Sequence, residues 1–129
     1  MVLSTWQKSM CDRIDTVADT VRQRFVVSSM RAWEYKQAEI DATEFKANGY
    51  TGTVPISVDT WVEATGMTPQ QAADDIIKAA ENFTYALGAI RRARLIGKAK
   101  IAQAATEVEG QVLFDLYIDQ LKQVQLLAS

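Results

Sequence analysis

Five of the chain's fourteen basic residues, Arg91, Arg92, Arg94, Lys98 and Lys100, fall within ten positions. Arg91, Arg94 and Lys98 stand at i, i+3 and i+7, which puts them on one helical face able to dock an acidic partner. Cations also gather near a helix C-terminus because its free carbonyls and macrodipole favour them there. The segment from Ala47 to Ile90 carries five acids against one lysine, and the tail after Lys100 carries four against one. Such alternation suits pairing between neighbouring elements or subunits first, a separate partner second and nucleic acid last. The partner-contact candidates are therefore Arg91, Arg92, Arg94 and Lys98, joined by Tyr50 in a glycine-flanked connector. Phe114, Tyr117 and Leu121 complete the set, because the last helix is more apolar than one surface helix can hide.

Other constellations carry less chemistry. The chain has no histidine, which removes Ser-His-Asp and Cys-His catalysis, histidine-ligated zinc and the usual general base near neutral pH. Cys11 is the sole cysteine and reads as a small helix residue rather than a reactive thiol. Asp12, Asp15 and Asp19 share one helical face, and Asp115 and Asp119 another. Without a glycine-turned loop of oxygen ligands these read as solvated faces, not cation sites. Residues 62–76 have the shape of a helix-turn-helix, yet the second helix opens with Gln70, Gln71, Asp74 and Asp75 and has no cation before Lys78. Two carboxylates would be repelled by phosphates, so this unit does not read as a DNA-binding surface. No catalytic residue, metal ligand or cofactor site is assigned, and an enzyme is not expected.

The elements that must position these residues are helical. Residues 4–47 contain neither glycine nor proline, and Leu3, Trp6, Met10, Ile14, Val17, Val21 and Phe25 recur in steps of three and four. That rhythm predicts one long helix over 4–47, with Val26, Val27, Ser28 and Ser29 as its weak point. Gly49 ends it, and Gly52 and Pro55 keep the connector, residues 48–57, out of helical space. Ser57 is expected to cap a short helix over 58–65 that Gly66 stops. Thr68 then caps a helix over 69–96, with Pro69 at its first position and Gln71 as capping-box partner. Ala73, Ile76, Ala80, Phe83, Leu87 and Ile90 form its seam. Gly97 either breaks this helix or marks a close helix contact before a last helix over 98–127, whose stripe begins with Ile101, Ala105, Val108 and Val112. Trp61 and Phe83 are expected in the core, and Tyr50 packs back on Trp61 or meets a partner. The reading is all-α: an elongated helical bundle in a single domain, two long helices flanking a short helix-turn-helix and one Gly/Pro connector.

At 129 residues the chain suits one domain with a real core. No run approaches a membrane span, and residues 1–8 lack the order of a signal peptide, so synthesis in a cytoplasm is expected. A net charge of −2 argues against bulk nucleic-acid affinity.

Five pieces, in this order and spacing, resemble a module of small tail-associated proteins of tailed bacteriophages. They are the run from Trp33 to Glu39, Phe45 to Pro55, Val58 to Trp61, Thr68 to Ile76, and Ile90 to Leu95 with Gly97 and Lys98. The resemblance covers a little over half of the chain. It implies a virion component of the tail, baseplate or fibre attachment, made in the host bacterial cytoplasm and bound to other phage structural proteins and to itself, and it does not imply catalysis; from the residues themselves no cofactor and no membrane contact are expected. The alternative is a tail or tail-fibre assembly chaperone absent from the mature particle. A small DNA-binding regulator ranks third.

Overall fold

The computed structural model describes residues 2–25 and 29–127. Among these residues there are five helices and no strand: α1 (Thr5–Gln23), α2 (Ser29–Ala47), α3 (Ile56–Thr65), α4 (Pro69–Gln103) and α5 (Glu107–Leu126). The chain is an all-α bundle with packed long helices. Where the sequence suggested a single domain, packing divides the chain into two compact units, Met1–Val26 with Tyr85–Ser129, and Val27–Thr84.

In the first unit, α1 opens with a capping box. Ser4 Oγ accepts the Gln7 N–H at 3.3 Å, and Gln7 Oε1 accepts the Ser4 N–H at 2.8 Å. Gln7 is also a buried polar residue. Its Nε2 donates to the carbonyls of Ile101 and Ala102, each at 3.2 Å, and of Ala104 at 3.3 Å. Ile101 and Ala102 lie in the last turn of α4 and Ala104 just beyond it, where carbonyls run short of intrahelical partners; that of Ile101 also receives the Ala104 N–H at 3.1 Å. One amide therefore serves the start of α1 and the end of α4.

The stripe read on α1 turns inward: Met10, Ile14 and Val21 are buried, with Trp6, Val17 and Phe25 packed against them. Ala86, Ile90, Ala93 and Ile101 from α4, and Phe114, Tyr117, Leu121 and Val124 from α5, complete this core. Ile14, Ile90, Ile101, Leu121 and Val21 are fully buried, and each contributes roughly 1.5–3 kcal/mol by leaving water. Two glycines set how close the helices come. A Cβ on Gly97 would lie 2.9 Å from Tyr117 Cγ and 3.3 Å from Ile14 Cδ1, and one on Gly110 would lie 2.3 Å from a Trp6 ring carbon.

The second unit is built at its turns. Gly49 adopts φ +69° and Tyr50 φ +59°. The Tyr50 N–H returns to the Phe45 carbonyl and the Gly49 N–H to that of Lys46, both at 2.9 Å. This pair of bonds is the Schellman stop of α2, and its usual apolar contact is present: the Tyr50 ring meets Phe45 edge-on, centroids 5.8 Å apart. Gly66 ends α3 at φ +77°. Thr68 and Gln71 exchange capping-box bonds at 3.1 and 3.2 Å, which starts α4. Ala42, Phe45, Val58, Ala72 and Ala73 form a smaller core, flanked by Tyr50, Val54, Val62, Met67, Ile76 and Ile77.

Several expected boundaries are corrected. The single helix over 4–47 is two helices. At the end of α1 the Arg24 and Phe25 N–H groups turn to the carbonyls three residues back, at 3.1 and 2.9 Å, which tightens and ends the ladder. Of the expected weak point, residues 26–28 lie outside the described residues, and α2 begins at Ser29. The short helix starts at Ile56, so the connector ends at Pro55 and Ser57 does not cap it. Pro55 takes that position without a side-chain bond, and its carbonyl receives the Val58 and Asp59 N–H groups at 3.0 and 2.9 Å. Gly97 does not break α4, which runs on to Gln103, because bare backbone is what lets Tyr117 approach. The last helix starts at Glu107, where Thr106 Oγ1 accepts the Glu109 N–H at 3.2 Å and Glu109 Oε2 accepts the Ala105 N–H at 3.0 Å. This restart breaks the expected stripe from Ile101 to Val112. Ile101 is buried in α4, whereas Val108 and Val112 face solvent and α5 turns Gly110, Phe114, Tyr117, Leu121 and Val124 inward.

The glycines in α4 separate two effects. A Cβ on Gly88 would meet nothing within 4 Å, whereas one on Gly97 meets the root of Tyr117. Gly88→Ala is expected to stabilise by up to about 1 kcal/mol through helix propensity. Gly97→Ala is expected to destabilise by about 1–3 kcal/mol from overpacking, despite the same propensity gain. Urea unfolding of both variants measures the sign of each, and a stabilising Gly97→Ala would refute the close contact.

Candidate functional site

Part of the cationic stretch of α4 is paired within the chain. Arg94 and Lys98 lean toward α1 and share one carboxylate: Arg94 Nη1 lies 3.4 Å from Asp15 Oδ1, and Lys98 Nζ 2.8 Å from Asp15 Oδ2. Arg91 and Arg92 point outward and are exposed, and neither has an ion-pair partner among the described residues. The pairing expected between neighbouring elements is thus present for two of the five cations. Asp15 is correspondingly not the merely solvated residue its stripe suggested. The side chains of Arg94, Lys98 and Asp15 are 27, 32 and 36% exposed, so water screens the group and limits it to about 1 kcal/mol. Partial burial pushes the Asp15 carboxyl up, but hydrogen bonds and charge from Lys98 and Arg94 outweigh it and hold Asp15 below 3.8. Arg94 Nε is buried without an acceptor among the described residues.

Cys11 lies beside this group and is buried. Its thiol points at the Lys98 carbonyl, Sγ to oxygen 3.7 Å. Burial pushes the thiol above 9.0, with Asp15 and Asp12 acting in the same direction and Lys98 against them. A protonated, enclosed thiol is a packing residue.

In the second unit, the acids of the helix-turn-helix shape are tied down. The Tyr50 hydroxyl donates to Asp74 Oδ1 at 2.6 Å, and Trp61 Nε1 donates to Asp75 Oδ2 at 2.8 Å. The Asp74 carboxylate holds the Tyr50 phenol above 10.0. Gln71 is engaged in the cap of α4. Ser57, which does not cap α3, instead donates to Asp41 Oδ2 at 2.8 Å, while Gln37 Nε2 donates to Asp41 Oδ1 at 3.0 Å. Tyr50 packs on Phe45, half-buried, and Trp61 uses its ring nitrogen as a strut at the surface.

The apolar candidates are rearranged more thoroughly. Phe114, Tyr117 and Leu121, expected at a partner contact, are buried inside the first unit at 5, 4 and 0% exposure. Arg13 sits over the Phe114 ring, 4.4 Å from its centroid, so that ring is covered from within. Trp61 and Phe83, expected in the core, are exposed at 40 and 43%. Other surface-facing apolar side chains include Met30, Trp33, Tyr35 and Ile40 on α2, and Val108, Val112 and Leu116 on α5. For the α5 residues the restart at Thr106 sets the phase.

Among the described residues no group of three or more Cys, Asp and Glu side chains is arranged to hold a metal ion, and no helix is long and apolar enough to cross a membrane. No family model, curated protein or solved structure matches the chain.

The Asp15 contribution to stability is full above 3.8 and is lost as pH falls through its lower folded value. Asp15→Asn is expected to lose up to about 1 kcal/mol near neutral pH and to match the parent chain in strong acid. Urea midpoints across the acid range read this convergence. Cys11 is expected to react with a thiol reagent at least about tenfold more slowly in the native chain than in urea. Equal rates would contradict its burial.

Proposed function

We propose that the chain is a non-enzymatic structural subunit of a tailed-phage virion, in the tail, baseplate or fibre attachment, that works through helix-mediated contacts with neighbouring subunits. The observation that carries this reading is where large apolar groups remain at the surface. Val108 is 76% exposed and Val112 65%, on an α5 whose opposite face is already fully used in a core. Residues 30–37 of α2 are all exposed and include Met30, Trp33 and Tyr35. Apolar groups aligned along helix faces favour protein contacts over solvent. Most acids and bases of the described residues lie at the surface, and those that are engaged serve caps, struts and the Asp15 group. The resemblance to tail-associated modules supplies the setting.

Mass spectrometry of gradient-purified particles, quantified against the crude lysate of infected cells, tests this reading. The expected result is the chain at a fixed copy number relative to the major capsid protein. Abundance in the lysate with absence from particles would refute it in favour of an assembly chaperone.

A further inference from the structure

We propose that a second copy of this chain docks on the first unit, the outward line of α5 from one copy lying antiparallel on the outward line of α4 from the other. The inference rests on the structural-subunit reading and names the partner for it. Both lines are exposed. On α5 they are Val108, Val112 and Leu116, at 76, 65 and 49% exposure, with Glu107, Asp115 and Asp119 alongside. On α4 they are Leu95, at 37%, and Ala99, with Arg91 and Arg92 alongside. Over residues 107–119 the charged groups of the α5 line are all acidic, and over residues 91–100 those of α4 are all basic.

The two lines also match in length and order. Val108 to Leu116 and Arg91 to Ala99 each span eight residues, about 12 Å of helix. On α5 the apolar residues come first and the acids Asp115 and Asp119 follow. On α4 the arginines come first and Leu95 and Ala99 follow. Only an antiparallel arrangement satisfies both. It sets Val112 against Leu95 and Val108 against Ala99, and brings the Asp115 end of the α5 line to the Arg91 and Arg92 end of the α4 line. A parallel arrangement would put the arginines against Val108 and the acids against Ala99. The within-chain packing cannot make these pairs, because the same helices turn their other faces to the core. Arg94 and Lys98, already held by Asp15, stand aside from the contact. Because each copy offers both lines, the same pairing serves a closed dimer or a repeating array.

Sedimentation velocity of the purified full chain at low ionic strength tests this. The expected result is assembly above the 14.4 kDa monomer that weakens with added salt. The double variants Arg91→Glu with Arg92→Glu, and Asp115→Arg with Asp119→Arg, are each expected to weaken it by about a hundredfold or more. An equimolar mixture of the two variants is expected to restore it, because the reversed lines are again complementary. All four positions are exposed, far-UV circular dichroism checks the fold, and misfolding cannot produce restoration on mixing. A parent chain that stays monomeric, assembly that survives both reversals (as it would through the α2 face around Trp33), or a mixture that fails to assemble would each overturn the proposal. None of these results depends on whether the chain is found in particles.

Discussion

The amide of Gln7 is the constraint on which the first unit turns. A helix of ordinary length leaves donors at its start and acceptors at its end, and burying either without a partner costs about 1–3 kcal/mol each. Here the start of α1 and the end of α4 are brought to one place, and a single buried side chain serves both. Its oxygen takes the Ser4 N–H and its nitrogen spans the carbonyls of Ile101, Ala102 and Ala104. The chain then leaves α4, crosses Ala104 and the exposed Ala105 and Thr106, and starts α5. With those ends fixed, the phase of all three helices is fixed, and Ile14, Ile90, Ile101 and Leu121 meet at zero exposure.

How far this was legible depends on the kind of signal. Local backbone chemistry was readable: Gly49 and Gly66 as stops, Thr68, Pro69 and Gln71 as a start, and the inward stripe of α1. These work through one or two residues and their immediate neighbours, so the sequence contains the whole cause. The restart at Thr106 belongs to the same class, since Thr106 and Glu109 have capping-box spacing, but the apparent stripe Ile101, Ala105, Val108 and Val112 ran straight across it. The consequence was large. Moving the phase origin of α5 turned Phe114, Tyr117 and Leu121 inward and Val108 and Val112 outward.

What the sequence did not contain was the pairing between elements. The i, i+3, i+7 spacing of Arg91, Arg94 and Lys98 was real, but it could not say which of the cluster would meet a carboxylate, since Asp15 lies far away along the chain. Trp61 and Phe83 illustrate the same limit. Both fall on apolar stripes, yet the second unit's core is made largely of alanines, with Phe45 and Val58. Such a small core has no room for an indole, and Trp61 spends its one donor on Asp75 at the surface. Tyr50 follows the pattern with Asp74, so polar struts at the surface join the connector, α3 and α4 beside their shared apolar core.

Gly97 against Tyr117, and Gly110 against Trp6, have a bearing on how this sequence can change over time. At each place an absent side chain on one helix is the space occupied by a ring on another. Enlarging the glycine alone clashes, and trimming the ring alone leaves a void. The positions are therefore not four independent sites of variation but two linked ones. In a lineage of such chains, residues 97 and 117 would drift as a pair, and so would 6 and 110, each exchange trading bulk from one helix to its neighbour at constant total volume.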